Sequence, residues 1–587
     1  MDIFSFFTLF GGLAFFLYGM TVMSKGLEKM AGGKLETVLK AMTSSKLKSL
    51  LLGAGITIAI QSSSAMTVML VGLVNSGIMQ LGQTIGVIMG SNIGTTLTAW
   101  LLSLSGIQSD NIFLKLLKPT SFAPIVAIIG IILIMTGKKG KKKDIGNIMV
   151  GFSILMFGMT TMGDAVSPLA DIPEFQNALI MFRNPIIGVL AGTIITAVIQ
   201  SSAASVGILQ AISLTGGVTY GVALPIIMGQ NIGTCVTSVL SAIGANKNAK
   251  RVAAVHIYFN VIGTVICLLL FYAADAIFNF AFKDMTINPF GIAICHSVFN
   301  VFTTVVLLPF TKQLEKLACL TIREKKEEKE TYVFLDERLL LSPAFAINEC
   351  QSMTVKMAKL SHEILCDSLN LIYKYDEKSA QSVVDNEDLI DDYEDKLGTF
   401  LVKLSTKELS NRSSEQITEL LHSIGDFERI GDHALNIAQA IDEMHEKKIA
   451  FSEQAMGELD VIINALREIL DITFDSFINN DYTYAAHVEP LEQVIDDLRN
   501  DIKMRHIKRL QQGQCTIELG FILSDLLANF ERVSDHCSNI AVCLIQIRNS
   551  SYDTHEYLND IKTSGEPHYV SDFSSYQQKY SLPKARV

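Results

Sequence analysis

Two short runs of neutral polar side chains interrupt the apolar first half of this sequence, Gln61-Ser62-Ser63-Ser64 and Gln200-Ser201-Ser202. From Ser49 to Ser109, and again from Asn184 to Asn246, there is no Asp, Glu, Lys, Arg or His, which removes the ionisable chains of a proton relay from both stretches. What remains is hydroxyl, amide and backbone: Thr57, Gln61, Ser62, Ser63, Ser64 and Thr67 in one run, and Thr196, Gln200, Ser201, Ser202 and Ser205 in the other. Hydroxyl and carbonyl oxygens are hard ligands suited to an alkali cation, while Ser O–H groups and the free N–H groups of a helix start suit an oxyanion. A site made of both can hold a sodium ion and an anion side by side, the cation giving the positive charge that no Lys or Arg supplies there. A second pair, Gly90-Ser91-Asn92-Ile93-Gly94-Thr95 and Gly229-Gln230-Asn231-Ile232-Gly233-Thr234, sets helix-weakening residues in apolar runs. A break there would free carbonyls, with Asn92, Thr95, Asn231 and Thr234 completing a cation's shell; a glycine-lined helix crossing is the alternative.

The second half offers different chemistry. Acids recur four apart at Glu387 and Asp391, Glu428 and Asp432, Glu492 and Asp496, and Glu531 and Asp535. That spacing stacks two carboxylates on one helix face, as in helical carboxylate metal sites, although an acidic face turned to water has the same pattern. The acids sit in a repeat: FERIGDHALNIA from Phe427 resembles FERVSDHCSNIA from Phe530, and EDLIDDYE from Glu387 resembles EQVIDDLR from Glu492. His433 and His536 are the candidates for a base, and no nucleophile accompanies them, so the sequence predicts no enzyme.

The elements that must position these residues follow from composition. Hydrophobic residues make up 49% of the 587-residue chain against 18% charged, with mean hydropathy +0.34, the balance of a membrane protein. Residues 1 to 318 carry 20 Lys or Arg and 11 Asp or Glu, and the remainder 28 and 48, so a basic apolar half precedes an acidic polar one. The acidic excess argues against nucleic acid as a partner. Nine scattered cysteines without a CxxC pair read as reduced packing residues. The first apolar run is predicted to be a retained membrane helix.

Apolar runs near 6–24, 50–76, 82–104, 119–136, 145–163, 185–215, 219–243, 252–273 and 290–310 are candidate spans. The two polar runs lie 139 residues apart, and at that offset residues 53–98 match 192–237 at 19 of 46 positions, so this half is a duplication. Lysines at 25, 29, 34, 40, 46 and 48 follow the first run, whereas Asp164, Asp171 and Glu174 dominate the equivalent segment 164–183. By the positive-inside rule the copies are inverted. The Lys138–Lys143 cluster and the C-terminal half fall inside only if 50–76 and 185–215 enter and return, so both are predicted to be re-entrant hairpins with the Gln-Ser runs at their tips. His256 with Asn260, and His296 with Asn300, form a third pair that reads more as packing than as a site. Pro225 and Pro309 mark kinks.

The paired QSSS-type motifs, each followed by NIGT, resemble the type II sodium-dependent phosphate cotransporters over about residues 5–315. The resemblance implies Na+-coupled carriage of inorganic phosphate, with Gln61, Ser62, Ser63, Ser64, Gln200, Ser201 and Ser202 binding substrate. Thr57, Gln61, Asn92, Thr95, Thr196, Gln200, Asn231 and Thr234 would serve sodium. Ala203 stands where a third Ser would complete the second motif. The doubled ERxxDH pattern resembles the PhoU family, which implies phosphate-linked regulation and a divalent or trivalent metal on the eight acids above.

The expectation is thus an all-α polytopic membrane transporter in the cell inner membrane, with repeats at about 5–140 and 144–315. A linker at 319–341, a cytoplasmic PhoU-like region of two three-helix units at 342–547 and a disordered tail at 548–587 complete it. Sodium-coupled phosphate symport is the leading reading. Export of phosphate or another oxyanion, and a membrane-anchored signalling protein without transport, are its rivals. Inorganic phosphate, sodium and the lipid bilayer are the partners, and a homo-oligomer is compatible with the sequence.

Overall fold

The structure is a computed structural model that describes residues 3–31, 45–106, 119–137, 141–172, 174–175, 179, 181–323, 335–407, 409, 411–549 and 567–583. Among these residues the only non-helical pairing is an isolated bridge between Thr219 and Thr286. The chain divides into two compact units, Met1–Ala346 and Ile347–Val587.

In the first unit, α1 (Ile3–Ala31) is followed by α2 (Lys46–Ile60), α3 (Ser63–Asn75), α4 (Leu81–Ser103) and α5 (Pro119–Thr136). The second copy repeats the order with α6 (Lys141–Val166), α7 (Pro185–Ile199), α8 (Ser202–Ser213), α9 (Tyr220–Ser241) and α10 (Lys247–Phe278); α11 (Pro289–Leu307) and α12 (Thr311–Thr321) follow. Among the described residues six helices are long and apolar enough to cross a membrane. The arms α2, α3, α7 and α8, at 15, 13, 15 and 12 residues, are shorter than the roughly 20 residues a span needs.

Glycines reveal how the arms run. A Cβ on Gly86 would lie 2.7 Å from Ser49 Cβ, one on Gly90 1.9 Å from Leu50 O, and one on Gly94 2.7 Å from Ala54 O. α2 and α4 therefore run side by side in the same direction with backbones in contact, which only the missing side chains permit. The end of α3 joins the start of α4 through Ser76–Gln80, so α3 must return to the side from which α2 set out. The first polar segment is thus a re-entrant hairpin. The second copies it, with Gly192 against Ile226 O, Gly229 against Val189 O and Gly233 against Thr193 O.

The relation between the copies is read from α1 and α6, which occupy equivalent positions. Gly12 meets Gly158 and Met162, Gly19 meets Gly151 and Leu155, and Gly26 meets Asp144 and Ile148. As one number rises the other falls, so equivalent helices pack antiparallel, and exchanging the copies maps the Gly12–Gly158 contact onto Gly19–Gly151. A two-fold relation across an antiparallel pair inverts each copy with respect to the other, as the charge pattern required.

The NIGT segments differ from the break considered for them. α4 and α9 run unbroken through them, because Gly90 and Gly229 are used for the close helix crossing and no carbonyl is released. Pro225 lies inside α9, and Pro309 falls in a short 3-10 turn after α11.

In the second unit, α13 (Pro343–Leu371, whose first residues belong to the first unit), α14 (Glu377–Ser405) and α15 (Asn411–Lys447) form one three-helix set, and α16 (Glu453–Asn479), α17 (Val488–Gln511) and α18 (Ile517–Asn549) the other. Phe427, Phe477 and Phe530 are fully buried among them. Burying a side chain of this size is worth about 1.5–3 kcal/mol.

Two boundaries move. The expected disordered tail contains α19 (Pro567–Lys579). It packs on α17, with a Lys579 ion pair to Glu468 of α16 at 2.7 Å, an Asp572 contact to His487, the N-cap of α17, at 2.7 Å, and Tyr580 buried, so apolar and ionic anchors at three points order a segment whose composition alone suggested none. Residues 550–566 lie outside the described residues. The expected linker also ends in structure: α12 extends to Thr321, and residues 335–342 lie on the first unit with Leu339 buried. Its middle, 324–334, and the basic positions 34, 40, 138 and 139 lie outside the described residues.

Candidate functional site

Each Gln-Ser tip is built by one backbone event. Gln61 has φ 56° and ψ 26°, and Gln200 φ 58° and ψ 21°, the left-handed conformation that ends a helix. Their N–H groups donate to Thr57 O and Thr196 O, both at 2.7 Å. A side chain larger than Gly held at positive φ is strained and persists where its surroundings demand it; here it happens twice, 139 residues apart. The next residue caps the returning arm, Ser62 Oγ accepting from Ala65 N at 3.1 Å and Ser201 Oγ from Ala204 N at 3.2 Å. The amides of Ser63 and Ser64, and of Ser202 and Ala203, open α3 and α8 where no helical carbonyl reaches them.

Both tips line a single cavity of about 270 Å³. Its wall includes Thr57, Gln61, Ser62, Ser63, Ser64, Thr95 and Thr98 from the first copy and Gln200, Ser201, Ser202 and Ala203 from the second. All seven expected substrate-binding residues are therefore together, although they lie on hairpins of opposite sense. Of the expected sodium ligands, Thr57, Gln61, Thr95 and Gln200 line this cavity; Thr196, Asn92, Asn231 and Thr234 are buried outside its lining. Asn92 Nδ2 bonds Asn260 Oδ1 at 3.3 Å, Asn231 Nδ2 bonds Ile227 O at 2.9 Å, and Thr234 Oγ1 bonds Gln230 O at 2.9 Å.

The copies are not equivalent. Thr57 Oγ1 donates to Ser91 Oγ at 2.8 Å, whereas the same positions of the second copy hold Thr196 and Gln230, with Thr196 Oγ1 and Gln230 Oε1 buried and without a partner. The third pair reads as packing: His256 Nδ1 lies 3.2 Å from Ser238 Oγ, and Asn260 and Asn300 bond back to the carbonyls of His256 and His296.

Residues that the sequence reading passed over come from α1. Met20, Thr21, Ser24, Lys25 and Glu28 complete the cavity wall, so a fixed positive charge does stand beside the tips, contrary to the expectation that a cation alone must supply it. The signal was available: Thr21, Ser24, Lys25 and Glu28 form a polar stripe at helical spacing on an otherwise apolar span.

The acids of the second unit separate as well. Carboxylate oxygens of Glu387, Asp391 and Asp432 lie within 4.8 Å of one another. Burial, then the neighbouring Asp391 and Asp432 charges, push the Glu387 carboxyl above its ordinary range, and burial together with Asp432 does the same for Asp391. Burial pushes Glu428 up to about 7, with Asp432 adding to it. Mutually repelling, proton-hungry carboxylates are the donor set a multivalent cation relieves. Arg429 lies 3.2 Å from Asp432. In the second copy Arg499 forms an ion pair with Glu531, and Arg532 lies 3.5 Å from Asp535; among the described residues Glu492, Asp496, Glu531 and Asp535 do not converge as the first set does.

Inverted helical repeats whose re-entrant tips share one polar cavity define a membrane carrier. A model of the Na+/Pi-cotransporter family matches residues 15–164 and 165–291, one match per repeat, and a model of the PhoU domain matches 354–441 and 460–544. YqeW of Bacillus subtilis (strain 168) is 31% identical over 314 residues, covering 53% of this chain and 97% of that protein. The chain belongs to the Na+/Pi-cotransporter family, with a PhoU region after its membrane unit. YjbB of Escherichia coli (strain K12), whose name refers to inorganic phosphate export, is 22% identical over 556 residues, covering 94% of this chain and 99% of that protein. The phosphate-specific transport system accessory protein PhoU homolog 1 of Thermotoga maritima is 26% identical over 217 residues, or 36% of this chain and 90% of that protein.

Proposed function

We propose that this protein carries inorganic phosphate across the membrane together with sodium, through the cavity where the two Gln-Ser tips meet. The observation that carries the reading is the convergence of both left-handed Gln residues and both helix starts on one polar space. Phosphate oxygens would accept from the opening amides of α3 and α8 and from Ser63, Ser64 and Ser202, while Gln61, Gln200, Thr57 and Thr95 offer oxygens to sodium. Thr196, with the buried oxygens around it, would serve a second ion, and Asn92, Asn231 and Thr234 would act by holding α4 and α9 in place. Lys25 adds attraction for the anion.

The charge pattern supports a multi-pass protein of the inner membrane with residues 347–587 on the cytoplasmic side. In that region Glu387, Asp391, Glu428 and Asp432 would hold a divalent or trivalent metal, which when bound supplies charge to order the domain and offers sites to phosphate. Arg499 favours a single occupied set over two.

Direct transport tests this. In proteoliposomes, labelled phosphate flux is expected to follow an imposed Na+ gradient and to fail with choline. Flux indifferent to sodium would overturn the coupling, and Gln61→Ala or Ser63→Ala variants with normal flux would overturn the site. Export is the second reading, favoured by the name of the full-length relative YjbB, and phosphate efflux from preloaded cells separates it from uptake.

A further inference from the structure

The segment entering the second unit is stitched to the first hairpin. Asn75, the last residue of α3, donates from Nδ2 to Asp336 Oδ2 at 2.6 Å; its Oδ1 accepts from Asn246 N at 2.7 Å and its carbonyl from Asn246 Nδ2 at 3.0 Å. Asn246 is the N-cap of α10. Asn75 and Asp336 are each 3% exposed. Arg338 pairs with Asp336 at 2.5 Å and donates to Ser241 O at 2.6 Å, on the last residue of α9, and to Ile243 O at 3.1 Å, just beyond it. Leu339 is fully buried, 3.4 Å from where a side chain on Gly72 would begin. Ser342 hydrogen-bonds Glu28, which lines the cavity. All these contacts lie within the first unit, and the chain continues from Ser342 directly into α13.

Three things meet here: the end of one hairpin arm, the junction of α9 and α10 in the other repeat, and the strand of chain that leads to the PhoU region. The tie is one-sided. At the 139-residue offset the mate of Asn75 is Leu214, 37% exposed, which has no such amide to offer. Carriage by the repeats alone would not call for a buried amide–carboxylate bond from Asn75 to Asp336 on one hairpin only, and removing one partner of a buried hydrogen bond to a charged group is costly.

We propose that residues 335–342 are a latch that restrains the first hairpin against the second repeat and so limits the carrier's rate. Asn75, Asp336 and Arg338 are positioning residues in this device, acting on the hairpin rather than on the ions. The inference rests on the carriage reading above. Wild-type protein that moves no phosphate would defeat that reading, whereas active wild-type protein with indifferent latch variants would defeat only the latch.

The test uses the full-length protein in proteoliposomes. Asn75→Asp sets two carboxylates against each other and opens the latch; adding Asp336→Asn restores a donor and acceptor in the reversed sense. The expected result is phosphate flux raised about tenfold or more in Asn75→Asp, the scale of one lost charged hydrogen bond, at unchanged phosphate half-saturation and returned to the wild-type rate by the second substitution. Unchanged or lowered flux, a shifted half-saturation, or a rise that the second substitution does not reverse would each overturn the latch. If Asn75→Asp is not recovered folded, Arg338→Gln, which removes the contacts to Ser241 and Ile243 without apposing two acids, is read in its place: raised flux supports the latch and any other result overturns it.

Discussion

Gln61 Oε1 accepts a hydrogen bond from Thr98 Oγ1 at 2.9 Å, tethering the first tip to α4. The second tip lacks this tether: Thr237, the mate of Thr98, bonds back to Thr234 O at 2.9 Å, and Gln200 is exposed. The bond orients the Gln61 amide, so its oxygen reaches the cavity in a fixed direction while that of Gln200 is free to turn. Two tips that differ in sequence only at their fourth residue, Ser64 against Ala203, are therefore held differently.

Thr98→Val keeps the shape of the side chain and removes the donor. The expected consequence is a rise of roughly five- to tenfold in the sodium half-saturation of phosphate flux, the equivalent of about 1–1.5 kcal/mol, while Thr237→Val changes it less than twofold. Sodium titrations of flux with both variants decide it; equal effects would mean the tether does not matter.

Glycine substitutions separate the helix crossing from the site. Gly90→Ala would set a methyl 1.9 Å from Leu50 O, and Gly229→Ala one 2.0 Å from Val189 O, so each should cost about 1–3 kcal/mol or more as the backbones are forced apart. Gly55 meets nothing within 4 Å, and Gly55→Ala should be neutral or stabilising by about 0.5–1 kcal/mol. Thermal melting in detergent provides the comparison.

The acidic set should make stability fall with pH when metal is absent. Glu428 holds its proton up to about 7 in the folded state against an ordinary 4.5, and Glu387 and Asp391 are shifted in the same direction. The folded state then binds more protons than the unfolded one across that window, so stability is greatest below it and declines as pH rises through it. Mn2+ should reverse the decline at pH 8, adding about 2.7 kcal/mol at one hundred times its dissociation constant, and have little effect at pH 5. Melting temperatures of the intact protein with and without Mn2+ test this; a metal effect that is equal at both pH values would contradict it.

Arg499→Gln removes the cation that pairs with Glu531. Metal analysis of the wild-type protein is expected to give one occupied set per chain, and the variant to gain affinity at the second. A wild-type protein that already fills both sets would show that Arg499 is displaced at little cost.

Much of this architecture follows from local pattern, which is why it was legible before any fold was known. A Gln-Ser run inside an apolar segment breaks a helix wherever that segment folds, and a 139-residue offset carries the break, the following glycine crossing and the charge inversion together. The helical periodicity of the second half and its doubled ERxxDH motif are likewise properties of neighbouring residues. Other features depend on partners far apart in the chain, whose meeting no local pattern specifies. Glycines in NIGT could have released carbonyls or admitted a neighbouring backbone, and only the approach of Leu50 and Val189 decided for the second. Lys25 and Glu28 became part of the cavity because α1 packs where both tips converge, the second acidic set lost its symmetry to Arg499, and α19 was ordered by Glu468 and His487, residues about a hundred positions away.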